Sequence, residues 1–328
     1  MSLNIIDDTE TVDLSAGGPS DDGTYTEANG GTELMNRALY ERVDRDLLDQ
    51  FFISKSRVRR VDPEKKNILW LHDLWADPEV QHLKNENSRN RFARLVFVSN
   101  YQLGTYNMGL GVPYSQSIVL RNAIDPIPDA WSEKPKDQIR LIYHTTPHRG
   151  LQILIPVMEK LSEFYGDKIH LDIYSSFEAY GWKERDEPYK ELFERAKAHP
   201  QMTYHGFQPN NVVREALRKA HIFAYPNIWV ETSCIAAIEA MSAGCEVVCP
   251  NLGALPETTG GFATMYQYNE DMNHHANVFA NVLNASIKQK LDNDDINKYN
   301  FQKNWADALY NWDYRAAEWT GLLQGLLK

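Results

Sequence analysis

Tyr225-Pro226-Asn227-Ile228-Trp229-Val230-Glu231-Thr232-Ser233-Cys234-Ile235-Ala236-Ala237-Ile238-Glu239-Ala240-Met241 is the stretch on which the fold turns. The apolar run His221–Tyr225 reads as a buried strand, and Cys234–Ala243 reads as a helix of small and apolar residues. The loop between them carries Glu231, and Glu239 follows eight residues later, about two helical turns inside. The amides of Thr232, Ser233 and Cys234 then read as unpaired first-turn donors, which suit a diphosphate. Glu231 can accept hydrogen bonds from sugar hydroxyls on one flank, and Glu239 from a ribose on the other. Taken alone, a Glu before a helix and another within it are a capping carboxylate and a surface charge. Glu239, however, is embedded between Ile235-Ala236-Ala237-Ile238 and Ala240-Met241. A carboxylate in such a run is buried and needs partners.

On both sides of this stretch, short apolar runs alternate with helical patterns. Phe51–Ile53, Asn67–Leu71, Leu95–Val98 and Ser117–Leu120 read as strands, preceded by a helix from Thr32 to about Arg45. Prolines then cluster at Pro126, Pro128 and Pro135, the best candidate for a boundary. The second series has strands at Gln138–Tyr143, Ile169–Tyr174 and Glu246–Cys249. Its helices fall at Gly150–Phe164, Tyr189–Ala198, Val212–Lys219 and Ala276–Lys290, with a last helix after Asn311. This is the alternation of parallel α/β sheets, whose ligands sit at the carboxyl ends of the strands. His72 follows Ile68-Leu69-Trp70-Leu71 and so lies at such an end, beside Asp73. Gly30-Gly31 precede the first helix, where glycine lets backbone amides approach a ligand. Residues 7–31 read as a loop-like lead-in behind a short strand at Leu3–Ile6.

The chain has 328 residues, 34 basic against 45 acidic side chains and a net charge of −11. That length suggests two domains, at about 150 residues each. No run of about 18 apolar residues occurs, so no membrane-spanning helix is expected. Met1-Ser2-Leu3-Asn4 has no secretory pattern, and three cysteines (Cys234, Cys245, Cys249) fit a reducing compartment; a soluble cytoplasmic protein is the expectation. Residues 51–121 are the basic exception, with 11 basic and 6 acidic side chains, among them Lys55, Arg57, Arg59, Arg60, Lys65, Lys66, Lys84, Arg89, Arg91 and Arg94. Such a segment either receives an anionic partner (phosphate, nucleic acid or lipid headgroup) or is a solvated surface with local ion pairs. Neither a G-x-x-x-x-G-K-[ST] loop nor a G-x-G-x-x-G turn after a strand occurs, so nucleotide hydrolysis and hydride transfer lose their usual signatures. Gly109-Leu110-Gly111 reads as a turn, Cys245-x3-Cys249 as two buried thiols, and His274-His275 as surface. The pairs Asp7-Asp8, Asp21-Asp22 and Asp294-Asp295 fall in loops and indicate no obligatory metal.

The 225–241 stretch and its continuation, Ser242-Ala243-Gly244-Cys245-Glu246-Val247-Val248-Cys249-Pro250 and Gly253-Ala254-Leu255-Pro256-Glu257, resemble the retaining glycosyltransferases of family 4, which have the GT-B fold. The two carboxylates look like that family's E-x7-E motif. Gly30-Gly31-Thr32-Glu33, Trp70-Leu71-His72-Asp73 and Tyr143-His144-Thr145-Thr146-Pro147-His148-Arg149-Gly150-Leu151 are similar to its other motifs, in order along most of the chain. The resemblance implies two Rossmann-like parallel α/β domains facing a cleft. Residues 1–135 would be a shortened acceptor domain and 136–310 the donor-binding domain, with the 311–328 helix crossing back to the first.

It further implies a UDP- or GDP-sugar donor, no cofactor, no metal and transfer with retention to an acceptor hydroxyl on a glycan, a lipid-linked saccharide or a modified DNA base. His72, Glu231 and Arg149 would be catalytic. Gly30, Gly31, Thr146, Thr232, Ser233, Cys234 and Glu239 would bind the donor. Arg149 stands where the family usually has a diphosphate-binding lysine, and Thr145-Thr146 where many relatives have a second arginine. A GT-B epimerase or phosphorylase, and a catalytically silent nucleotide-sugar binder, are the competing readings.

Overall fold

Short runs of Ile, Leu, Val and Phe bounded by polar turns build ten parallel strands in two sheets of the computed structural model, which describes residues 30–129, 131–292 and 296–328. The first sheet comprises β1 (Phe51–Lys55), β2 (Lys66–Leu71), β3 (Arg94–Phe97) and β4 (Ser117–Val119), in that spatial order. The second comprises β5 (Ile139–Tyr143), β6 (Ile169–Ile173), β7 (Met202–Tyr204), β8 (Ile222–Ala224), β9 (Glu246–Pro250) and β10 (Thr264–Tyr266). Its order is β10-β9-β8-β5-β6-β7, so the chain reverses direction across the sheet between β5 and β8. Ligands bind at such a switch point in open α/β sheets. The predicted strand at Leu3–Ile6, most of the 7–31 lead-in and the three Asp-Asp pairs fall wholly or partly outside the described residues.

Helix Gly31–Arg42 opens the first half, and Trp312–Leu327 closes the chain against it. Trp312, Trp319 and Leu323 of that last helix are buried in one core with Leu39, Ile68, Trp70 and Val96 of the first half. The Trp319 indole meets Trp70 edge-on at 4.9 Å. The connection between the halves is held at Ile124, which bonds to Tyr310 and Trp312 through backbone atoms at 2.7 and 3.3 Å. Lys303 donates to the carbonyls of Ile127 and Ser242 beside it.

Several expectations change. Gly109-Leu110-Gly111 is not a free turn: Gly109 lies in the last turn of helix Asn100–Leu110, and Gly111 is its left-handed cap at φ 66°. Gly109 faces Trp75, whose ring carbon would lie 2.3 Å from an added Cβ. Strands β7 and β10, each three residues long, are too short to show a period. His275 is fully buried rather than on the surface, with its Nε2 3.1 Å from the Tyr266 hydroxyl, whereas His274 is exposed. The three cysteines are buried free thiols. Among the described residues no helix is long and apolar enough to cross a membrane.

Candidate active site

All ten residues singled out from sequence (Gly30, Gly31, His72, Thr146, Arg149, Glu231, Thr232, Ser233, Cys234 and Glu239) border one cavity of about 650 Å³ between the two sheets. The first half contributes Gly30, Gly31 and His72, from the start of helix Gly31–Arg42 and the end of β2. The rest come from the loops after β5 and β8 and from the helix that follows β8.

Glu231 is buried, and its Oε1 accepts hydrogen bonds from both the Arg149 guanidinium and the Tyr225 hydroxyl. Two glycines allow this approach. Gly150, at φ 119°, would bring a Cβ to 2.1 Å from the Pro226 carbonyl oxygen, so only glycine lets the Arg149 turn close on the end of β8. Gly253, at φ 63°, would place a Cβ 2.6 Å from the Glu231 backbone, and Ala254 N–H donates to the Glu231 carbonyl at 2.8 Å. The 253–257 segment therefore packs directly on the loop that carries the carboxylate. Burial by itself disfavours the Arg149 charge, but Glu231 outweighs it and holds the guanidinium pKa well above its ordinary value. Arg149 is thus a mostly buried permanent cation on the cavity wall, not a surface residue.

The helix begins one residue later than its sequence suggests. It spans Ile235–Ser242, with Cys234 as its extended N-cap residue. The amides of Ser233, Cys234, Ile235 and Ala236 find no acceptor among the described residues, so this corner presents a run of open donors towards the cavity. Thr232 is outside that first turn. Its hydroxyl donates to the His72 carbonyl at 2.8 Å, and its own carbonyl accepts from Ser99 Oγ at 2.6 Å. Cys234 is sealed, and burial pushes its thiol well above the usual range, which makes it packing rather than a nucleophile.

Glu239 does need partners, and they come from helix Asn210–Lys219. Arg214 Nη1 lies 3.0 Å from its Oε1, and Asn210 Nδ2 lies 3.1 and 3.3 Å from its two oxygens. Burial raises the Glu239 pKa, and Arg214 and Asn210 offset part of that rise. Arg214 also donates to the Asp125 carbonyl at 2.6 Å, joining this corner to the connection between the halves. No spacing in the sequence relates 214 to 239. The signal available was the buried carboxylate itself, which required a cation on a neighbouring element.

His72 is held at its amide by Ser56 Oγ at 2.8 Å, and its ring packs against Trp70 at 4.7 Å. Ser56 stands at φ 53°, with Arg57 N–H donating to the Lys55 carbonyl at 2.6 Å, a tight γ-type turn that costs strain for a residue with a side chain. The turn delivers Arg57 to the cavity, where it is the one lysine or arginine of the 51–121 segment among the lining residues. Many other cations of that segment are engaged locally. Arg59 pairs with Glu79, Arg121 with Glu257, Lys66 donates to the Leu326 carbonyl, and Arg89 and Arg94 donate to backbone carbonyls. A broad basic face is therefore not what the segment forms.

Four side chains on the loop after β5 face this region with buried atoms that have no partner: His144 Nδ1, Thr145 Oγ1, Thr146 Oγ1 and His148 Nδ1. His72 Nε2 is in the same condition. Burial is the main cause that lowers the pKa values of His72 and His148 to about 3 and of His144 to about 4; Lys55 adds to it at His72, and Arg149 and Arg185 add to it at His148. All three rings are neutral at pH 7. Because their folded pKa values lie below the unfolded value of about 6.5, the unfolded chain binds more protons between the two. Their contribution is complete above about pH 6.5 and is lost as pH falls towards 3 to 4. Thermal melts of His148→Asn between about pH 7 and 4.5 are expected to show a shallower loss of stability with acid than wild type. Identical slopes would contradict this assignment.

Two parallel α/β halves, a closing helix packed on the first of them and a cleft at the strand ends define the GT-B class of glycosyltransferase folds. Residues 126–302, more than half of the chain, match the family described as Glycosyl transferases group 1, and the chain belongs to that family. The structure is similar to the crystal structure of HepE from Anabaena in complex with UDP and glucose, with a TM-score of 0.62 and 15% identity over 80% of this chain and 72% of that one. It is also similar to a glycosyltransferase from Rickettsia africae, with a TM-score of 0.63 and 11% identity over 93% of this chain and 84% of that one. At these identities the likeness is one of fold. A 142-residue stretch, 42% of this chain, is 27% identical to part of the human phosphatidylinositol N-acetylglucosaminyltransferase and covers 28% of that polypeptide's length.

Proposed function

We propose that the protein transfers a sugar from a nucleoside diphosphate sugar to an acceptor hydroxyl with retention of configuration. The observation that carries this reading is the corner at 231–239: open amides beside a buried Arg149–Glu231 pair, with a second buried carboxylate two turns on. The donor would sit in the half formed by residues 136–310, with its diphosphate on the Ser233–Ala236 amides and Arg149. Its ribose would face Glu239 and its sugar hydroxyls Glu231. As the diphosphate leaves, its oxygen takes the acceptor proton on the same face, and Arg149 and the amides stabilise the growing negative charge. His72, neutral and with an unpartnered Nε2, would hydrogen-bond the donor sugar near the reacting carbon instead of abstracting a proton. A permanent cation and oriented amides supply what the leaving group requires, so the scheme calls for no resident metal or cofactor. HepE, solved with UDP and glucose, supports a UDP-sugar as the first donor to try.

The acceptor would enter from the half formed by residues 1–135, where Arg57 is the cation that meets it. The human relative's name specifies phosphatidylinositol, an acceptor that carries a phosphodiester, and Arg57 suits such a group. Release of nucleoside diphosphate from UDP-glucose, UDP-N-acetylglucosamine and GDP-mannose, with and without acceptors, tests the reading. Release by wild type that is abolished in Glu231→Ala supports transfer. Saturable donor binding with no release under any acceptor would favour a silent binding protein, a reading consistent with Glu231 already neutralising Arg149. Arg57→Glu is expected to raise KM at least about tenfold for a phosphorylated acceptor and to leave a neutral one unaffected. Equal effects on both would remove the anionic acceptor.

A further inference from the structure

The two halves meet at the site through contacts that bind no donor. Thr232, on the loop after β8, donates its hydroxyl across the cleft to the His72 carbonyl at 2.8 Å. Ser99, at the head of helix Asn100–Leu110, donates its hydroxyl to the Thr232 carbonyl at 2.6 Å while accepting the Gln102 amide at 3.0 Å. Gln102 Nε2 in turn donates to the Asp73 carbonyl at 2.9 Å, and the Tyr106 hydroxyl donates to the same oxygen at 3.1 Å. The backbone around His72 is therefore fixed by its own half at the His72 amide and Asp73 carbonyl, and by the other half at the His72 carbonyl.

A second cross-cleft contact lies at the same helix. Glu257 of the second half accepts the Asn100 amide at 3.0 Å, Asn100 Nδ2 at 2.8 Å and the Tyr101 amide at 2.8 Å. It also pairs with Arg121 at 3.2 Å. A carboxylate on first-turn amides satisfies donors that the helix cannot pair itself and complements its positive end. Gly253 and Ala254, just upstream of Glu257, are the residues that hold the Glu231 backbone.

We infer that Thr232 and Glu257 form a two-point latch that sets His72 of the first half in register with Glu231 and Arg149 of the second. The inference rests on the proposed transfer reaction and assigns Thr232 and Glu257 as positioning residues. Neither side chain is needed to hold the nucleotide, so breaking the latch should spare nucleotide affinity and lower turnover. A side chain that touched the donor would lower both together.

The test compares Thr232→Val, which keeps the shape and loses the hydroxyl, Thr232→Ser, which restores it, and Glu257→Gln, which removes the charge. UDP and GDP affinity is measured by calorimetry, and turnover as diphosphate release from whichever of the three sugar nucleotides wild type uses. The latch predicts affinities within about threefold of wild type, a loss of kcat of about tenfold or more in Thr232→Val and Glu257→Gln, and recovery in Thr232→Ser. A kcat for Thr232→Val within about twofold of wild type, or affinity falling in step with kcat, would overturn it. Small-angle scattering gives a readout independent of chemistry. If wild type turns over no donor but both variants show a larger radius of gyration, the latch stands and the transfer reading fails. If wild type turns over no donor and the radius is unchanged, the latch fails as well.

Discussion

Arg149→Ala is expected to lower diphosphate release by about 100- to 1,000-fold, the usual cost of removing one preorganised group from the site where charge develops. The effect should be this large because Arg149 is the guanidinium held by a buried carboxylate on the cavity wall, beside the open amides of Ser233–Ala236. In a low-dielectric wall its charge is screened less than it would be in water. Where many relatives have a second arginine, this chain has Thr145-Thr146, which can offer hydroxyl donors but no charge. Arg149→Lys keeps the charge and loses the paired donors, so it should recover only part of the lost rate. Release measured at saturating donor distinguishes the variants. Equal rates for wild type and Arg149→Ala would mean that the leaving group is stabilised elsewhere.

Trp319→Ala is expected to destabilise the fold by about 3–5 kcal/mol, the range for truncating a fully buried large aromatic side chain. Trp319 is 0% exposed and lies against Trp70, two residues before His72. An edge-on aromatic pair contributes about 0.5–1.5 kcal/mol beyond the area it buries. The last helix supplies Trp312, Trp319 and Leu323 to a core otherwise built by the first half. Loss of the indole should therefore loosen the 30–129 half and leave the cluster around β5, β8 and β9 intact. Urea denaturation followed by circular dichroism measures the change. A loss below about 1 kcal/mol would show that the closing helix is not what holds the first sheet.

The alternation of apolar runs with helical periods was enough to read both parallel sheets, because fully buried parallel strands leave continuous apolar runs such as Leu95–Val98. The E-x7-E spacing likewise located the donor corner, since a loop carboxylate and an apolar helix with an embedded glutamate are local signals. Contacts made across the fold left no such trace. Arg214 and Asn210 reach Glu239 from a helix about 25 residues upstream, and Glu257 caps a helix some 157 positions away. The basic excess of residues 51–121 was visible in composition, but its dispersal into local pairs depended on which carbonyls and carboxylates lay nearby. The helix start also shifted, because Thr232 commits its polar atoms to His72 and Ser99 and leaves the first turn to begin at Ile235.

A crystal structure with UDP-glucose or a non-hydrolysable analogue bound tests the central claim most directly. The diphosphate should lie within hydrogen-bonding distance of the Ser233–Ala236 amides and of Arg149, with the ribose on Glu239 and the sugar hydroxyls on Glu231. A diphosphate bound elsewhere in the cavity, with Arg149 still locked to Glu231 and those amides unoccupied, would contradict it.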